Sequence, residues 1–255
     1  MTNVQRFFAR IGMDTETPAT PDLELLTKIQ SACVTSIAYE NLDILEGRPL
    51  DLSPEALFDK IVTRGRGGYC FELNGLLTHM LREIGYSVTE RFARYLRGEK
   101  DIPMRRHRVT VVSLPEGDYM CDIGVGEVAP RLPLKIERGL VQHQNGETYK
   151  FERDDRHGWV LWDQYRGQWR EYICFSDDEA LNVDFVQPSF YCEKHPDSIF
   201  NKEPMLAIKT LDGRRTLDGR VYKEFCGTEL KHIEENISDA RMDELLCSAF
   251  RLTPQ

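Results

Sequence analysis

Cys70 follows Gly67-Gly68-Tyr69 and opens a run, Phe71-Glu72-Leu73-Asn74, that continues with helical spacing. A cysteine placed there can act as a nucleophile. The first turn of a helix offers unpaired N–H groups and the positive end of the helix dipole, which favour a thiolate and could stabilise a tetrahedral oxyanion. Gly67 and Gly68 permit a turn that a Cβ would obstruct. His107, in Arg105-Arg106-His107-Arg108, heads a β-prone run and could take the thiol proton. Asp122 ends the next such run, just ahead of Gly124-Val125-Gly126. Cys, His and Asp are the parts of a thiolate nucleophile, its base and an orienting carboxylate. Taken singly each has a plainer reading: a small buried cysteine, a surface histidine in a basic stretch, a turn aspartate. As an ordered set they point to acyl transfer through a cysteine thioester.

The elements that must carry these residues change character along the chain. The first third reads helical. Residues 22–29 follow Pro21 with Leu25, Leu26 and Ile29 at helical spacing. Ser53-Pro54-Glu55 is a helix start, with Ser as N-cap and Pro at the first position. From Cys70, the residues Leu73, Leu76, Leu77, Met80, Leu81 and Ile84 share one face, and Gly85 ends the helix. The middle third alternates short β-prone runs, 88–95, 108–114, 119–123, 148–153, 159–164 and 169–175, with turn clusters. A strand starting at His107 would put His107, Val109 and Val111 on one face, which could turn the imidazole toward Cys70. In the tail, 205–210 and 221–225 read as strands, Asp212-Gly213-Arg214 as a turn, and 239–250 as a closing helix. The fold class is therefore α+β. The expected units are a helical bundle over 1–85 with the nucleophile, a β-barrel over 86–187 with His and Asp, an interdomain segment over 188–204 containing Pro188, Pro196 and Pro204, and an α/β lid over 205–255.

Composition narrows the possible partners. The chain has 255 residues and a net charge of -9, which argues against nonspecific nucleic-acid binding. No stretch approaches the ~20 apolar residues of a membrane span, so no membrane partner is expected. The start of the chain lacks a signal-like apolar run, and the seven cysteines are scattered without a CxxC pair, a pattern that reads as reduced thiols in the cytoplasm. No metal is expected, because the six histidines show no ligand spacing. Trp159, Trp162 and Trp169 are expected to fill a core, Arg66 reads as an anchor for backbone carbonyls or a substrate ligand, and residues 154–158 read as a hairpin tip.

The ordered motifs resemble the arylamine N-acetyltransferases. They run from Arg10-Ile11-Gly12 and Tyr39-Glu40-Asn41-Leu42-Asp43, through 66–74, His107-Arg108-Val109 and Asp122-Ile123-Gly124-Val125-Gly126, to Pro196-Asp197-Ser198-Ile199-Phe200 and 213–220. The resemblance implies a bundle, barrel and lid with a triad like that of cysteine proteases. It implies Cys70 as nucleophile, His107 as base and Asp122 as orienter, with Tyr69, Phe71, Gly124, Val125 and Gly126 at the substrate. It also implies ping-pong chemistry in which acetyl-CoA is the acyl-donor substrate, a small aromatic amine or hydrazine is the acceptor, no cofactor is tightly bound, and the enzyme is a monomer or homodimer. Val125 stands where many relatives carry phenylalanine, and Ser189 where asparagine is common. The same scaffold could serve an amide synthase, and the same triad a cysteine hydrolase.

Overall fold

In the computed structural model, which describes residues 1–253, a helical layer, an eight-stranded sheet and a four-stranded sheet follow one another along the chain. The helices are α1 (Asn3–Arg10), α2 (Leu23–Ser36), α3 (Leu42–Leu45), α4 (Pro54–Phe58) and α5 (Cys70–Ile84). Thr2 and Gln5 cap α1 reciprocally, and Asp22 caps α2 by accepting from the Leu25 N–H at 2.8 Å. Helix α2 continues past the expected 22–29 because Cys33 and Val34 extend its buried stripe. Helix α4 starts as expected at Ser53-Pro54 and runs into a π-type turn over Asp59–Thr63. Helix α5 has the expected bounds, and Gly85 leaves it with φ 108°.

The larger sheet holds β1 (Ser87–Tyr95), β2 (His107–Leu114), β3 (Gly117–Cys121), β4 (Leu134–Lys135), β5 (Val141–Gln144), β6 (Glu147–Asp154), β7 (Gly158–Tyr165) and β8 (Gln168–Phe175), in the order β4-β3-β2-β1-β8-β7-β6-β5. Every pairing is antiparallel. The two outer strands are short, and side chains bridge between them. The Gln142 amide accepts from the Lys135 N–H at 2.8 Å and donates to the Lys135 carbonyl at 3.0 Å. Gln144 does the same with Leu132, at 2.9 and 2.8 Å. Two glutamines thus stand in for a backbone ladder and nearly close the barrel.

Strand β2 is buried on both faces over residues 107–112. Thr110 shares a hydroxyl hydrogen bond with Thr78 at 2.9 Å, and Val112 joins the core around α5, so the even-numbered residues face the helices. Val109 lies in the barrel core. The odd-numbered face thus turns to the barrel at Val109, while His107, at the strand's start, lines one cavity with Cys70. The basic stretch is solvated only at its start: Arg105 is exposed and Arg106 half-buried, while His107 and Arg108 are buried. Arg108 is buried beside the Glu90 carboxylate, donates to Asn182 Oδ1 at 3.0 Å and lies over the Phe185 ring.

The interdomain segment is more ordered than its prolines suggested. Its first part belongs to α6 (Val186–Lys194), with Pro188 in the first turn, where a missing N–H costs no helix bond, and a 3₁₀ turn follows at Ile199–Asn201. The smaller sheet has the order β12-β11-β10-β9, from β9 (Met205–Lys209), β10 (Gly213–Asp218), β11 (Val221–Cys226) and β12 (Glu229–Glu234), and α7 (Asp239–Ser248) packs on it. The expected turn at Asp212-Gly213-Arg214 is shifted, since Gly213 and Arg214 already pair with β11. Trp159, Trp162 and Trp169 are only half-buried. Arg153 lies over Trp159 and Lys150 over the other two, so cations cover their outer faces. Residues 155–157 do form the tip between β6 and β7.

Two side chains stitch the units together. Asn41 donates to the carbonyls of Phe200 and Glu203 and accepts from the Met205 N–H, each at 2.8 Å. Arg131 donates to the carbonyls of Thr210 and Gly213 at 2.6 and 2.7 Å. Tyr39 and Ala207 exchange backbone hydrogen bonds at 2.9 and 3.0 Å, which brings β9 against the turn ahead of Cys70.

Candidate active site

Glycine at position 67 is required by packing rather than by backbone angle. A Cβ there would sit 2.2 Å from the Ala38 carbonyl oxygen and 2.7 Å from Glu40 Cγ. This close approach lets Tyr39 and Gly68 bridge, and it delivers Cys70 to the start of α5. From the barrel side, Gly124 approaches just as closely, with an added Cβ falling 2.8 Å from Cys70 Cα and 2.8 Å from Asn74 Nδ2. The nucleophile position therefore lies where two backbones nearly touch.

His107 Nε2 lies 2.7 Å from Asp122 Oδ2, and both side chains are buried. The other carboxylate oxygen, Oδ1, accepts from Asn74 Nδ2 at 2.9 Å and from the Gly124 N–H at 2.8 Å. Asn74 also donates to the Arg108 carbonyl at 2.5 Å and accepts from the Ile123 N–H at 2.9 Å. It stands one helical turn after Cys70, on the same face of α5. One amide thus ties α5 to strand β2 at Arg108 and to the segment just after β3 at Asp122 and Ile123. The motif reading assigned Asn74 no role, although its four-residue spacing from Cys70 was a usable signal.

Cys70 and His107 line a shared cavity of about 240 Å³. Cys70 Sγ lies 3.8 Å from the carbonyl oxygen of Arg106, the residue before His107. Gly124, Val125 and Gly126 line the same cavity, as expected. Tyr69 and Phe71 do not. Tyr69 is fully buried, its hydroxyl 2.5 Å from Ser189 Oγ and its ring edge-on to Phe71 and Phe200. Phe71 packs on Phe185 behind the site. Their place is taken by residues without a local chemical signal, chiefly Tyr39, Tyr95, Phe200, Met205 and Asp218, which long-range folding brings to the walls.

Burial pushes the Cys70 thiol well above its ordinary pKa, and the nearby Cys192 and Asp122 push it further, against a stabilising N–H at Phe71. An isolated thiolate is disfavoured in this setting. Deprotonation has to be coupled to a neighbour that gains the proton, and the imidazole in the same cavity is suited to that. In the tautomer that carries its proton on Nε2 toward Asp122, the imidazole leaves Nδ1 as an acceptor.

A family model described as N-acetyltransferase matches residues 22–254. The arylamine N-acetyltransferase of Mycolicibacterium smegmatis is 38% identical over 84% of this chain and 79% of its own length. The arylamine N-acetyltransferase structure from Salmonella typhimurium superposes with a TM-score of 0.92 at 27% identity, covering 99% of this chain and 92% of that one. The Mycobacterium marinum enzyme in complex with CoA gives 0.90 at 33% identity, covering 98% and 92%. This chain belongs to the arylamine N-acetyltransferase family. It is an acyltransferase with the family's α+β fold and nearly closed barrel.

In this arylamine N-acetyltransferase the turn ahead of Cys70 is held by buried charge. Lys60 Nζ lies 2.7 Å from both Asp43 Oδ2 and Glu72 Oε1, and Arg66 Nη2 lies 3.0 Å from Asp43 Oδ1 and 3.5 Å from Glu40 Oε1. Glu72 Oε2 accepts from the Tyr69 N–H at 3.2 Å, and Glu40 Oε2 from the Leu42 N–H at 2.7 Å. Arg66 is thus an anchor, but for carboxylates rather than for backbone carbonyls or substrate. Burial works against the Lys60 charge, yet Glu72, Glu40 and Asp43 outweigh it and raise the ammonium pKa. Lys60→Met is expected to cost about 3–5 kcal/mol of stability, because it leaves the buried Glu72 carboxylate without a cation and takes one of two from Asp43. Urea denaturation would read this, and a loss below about 1 kcal/mol would mean that the ammonium is replaceable.

Proposed function

We propose that this enzyme moves acetyl from acetyl-CoA to arylamines or arylhydrazines by a ping-pong route through a thioester on Cys70. His107 Nδ1 takes the thiol proton as sulfur attacks the donor carbonyl. The tetrahedral intermediate collapses, CoA sulfur leaves and receives the proton, and acetyl remains on Cys70. The amine then attacks, His107 accepts its proton, and the product amide departs as that proton returns to Cys70. Asp122 stabilises the imidazolium in each half-reaction. The free N–H groups at the start of α5 supply oxyanion donors.

The reading rests chiefly on one observation: Cys70 shares a cavity with a histidine held on a buried carboxylate, within a fold and family of acetyltransferases. Apolar walls from Val125, Phe200 and Met205 suit an aromatic acceptor and disfavour water. Val125 offers less surface than phenylalanine would, so the acceptor end should admit wider rings. The chemistry suits the acetylation of foreign aromatic amines, and seven free thiols suit the reducing cytoplasm.

Intact mass spectrometry after mixing with acetyl-CoA tests the reading. One acetyl adduct is expected, localised to Cys70, stable in buffer and discharged by an added arylamine. Discharge by water at the same rate would make the enzyme a thioester hydrolase. Absence of the adduct would remove the thioester route.

A further inference from the structure

A second recess lies on the outside of the barrel, where β1 and β8 meet the hairpin tip between β6 and β7. It has a volume of about 70 Å³ and is lined by Arg94, Arg105, Arg156 and His157, with Cys174 and Ser176 beside them. No carboxylate is among its lining residues. That is unusual on a chain with a net charge of -9. Among the described residues, Arg94, Arg105 and Arg156 form no ion pair. Arg94 Nη1 donates to the Pro103 carbonyl, which fixes one guanidinium at the wall.

Acids on the flanking segments are already engaged, and Asp178 accepts from the Ser176 hydroxyl at 2.9 Å. Asp154 Oδ1 accepts from the backbone N–H groups of Arg156 and His157 and sits 3.0 Å from His157 Nδ1. Asp177 is held by Arg153 and by Trp159 Nε1. His157 Nε2 is buried without a hydrogen-bond partner. Guanidinium groups converging without counter-charges repel one another, and a tetrahedral anion relieves that repulsion while using their forked donors.

The recess is not isolated. Phe92 and Arg105 also line a neighbouring groove of about 630 Å³. Arg106 lines both that groove and the Cys70 cavity. The recess, the groove and the Cys70 cavity are thus neighbours, with Phe92, Arg105 and Arg106 as their shared walls. We propose that Arg94, Arg105 and Arg156 form a phosphate-binding pocket in this recess. Its occupant is a phosphate group, carried either on the acyl donor, which rests on the acetyl-CoA reading above, or as a free anion.

Titration calorimetry at low ionic strength would test it, with inorganic diphosphate and CoA as probes against the unmodified enzyme, Arg105→Ala, Arg156→Ala and Arg156→Lys. Loss of one guanidinium contact should weaken diphosphate binding at least about tenfold, with partial recovery in the lysine variant. If CoA affinity falls in parallel and diphosphate competes with it, the donor's phosphate is the occupant. If only diphosphate affinity falls, the pocket serves a free anion. Unchanged affinity for both probes in both alanine variants, or no diphosphate binding by the unmodified enzyme, overturns the proposal. Acetylation of Cys70 by S-acetylpantetheine, which lacks phosphate, separates this outcome from failure of the thioester route, since that step should proceed in every variant.

Discussion

Cys70→Ala is expected to lower arylamine acetylation by at least about 10⁴-fold, while the protein keeps its fold. Removing the nucleophile from a covalent mechanism leaves only the binding and oxyanion contributions. The side chain is small and buried, so its loss opens little space, and the unfolding free energy should change by about 1 kcal/mol or less. The decisive comparison pairs turnover with urea denaturation on the same preparation. Near-normal turnover in a folded variant would show that the acyl group never resides on sulfur. Alkylation adds a second check. Cys226 and Cys247 are exposed and will react, but among the five buried thiols only Cys70 opens onto the cavity. Acetyl-CoA should therefore protect Cys70 alone.

The second large effect belongs to Asp122→Asn, for which about a 10⁴-fold loss in the acylation rate is expected, the scale of charge removal from a catalytic triad. The hydrogen bonds around Asp122 explain why so small a change should matter. Oδ1 faces two donors, Asn74 Nδ2 and the Gly124 N–H, so an asparagine must keep its carbonyl oxygen there. Its amide NH₂ would then face His107 Nε2. That nitrogen must become an acceptor, which moves the ring proton to Nδ1 and removes the lone pair that takes the thiol proton. The variant should bind substrate normally yet acylate slowly in single-turnover measurements, with a nitrogen-15 spectrum showing the proton on Nδ1. Acylation at the parent rate would reduce Asp122 to a turn residue.

Legibility in the sequence followed local periodicity. Helix α5 was readable to the residue because its apolar face, its opening cysteine turn and Gly85 agree. Strands β1, β2, β6, β7 and β8 are β-prone runs bounded by turn clusters, and their expected bounds lie within a residue or so of the observed ones. Strands β4 and β5 were not: one is too short to show a period, and the other carries two glutamines where apolar residues would be expected. Strand β12 is nearly all exposed, so it has no buried stripe to betray it. Strand β10 begins with Gly213 and Arg214, which together with Asp212 read as a turn until β9 and β11 pair on either side. At the site, Cys70, His107 and Asp122 were found because their chemistry is distinctive. Tyr39 and Phe200 stand inside motifs but carry no chemistry that assigns them to the site, and Met205 has no signal at all, because an apolar wall is built from distant segments. The neighbours of the nucleophile were misassigned for the converse reason. Proximity in sequence suggested that Tyr69 and Phe71 meet substrate, but successive side chains around a helix start point in different directions, and these two point into the core.

The glutamine bridge between β4 and β5 bears on how the molecule avoids its own kind. An incomplete barrel has two exposed sheet margins, and such margins recruit strands from other chains into aggregates. Here each margin occupies the other. The donors and acceptors at Leu132 and Lys135 are spent on side-chain amides, so a passing strand finds no matching ladder at these positions. Because the amides reach across without backbone pairing, the joint can open locally without unzipping a strand. The barrel is thereby sealed against intermolecular pairing while its wall retains a place to breathe.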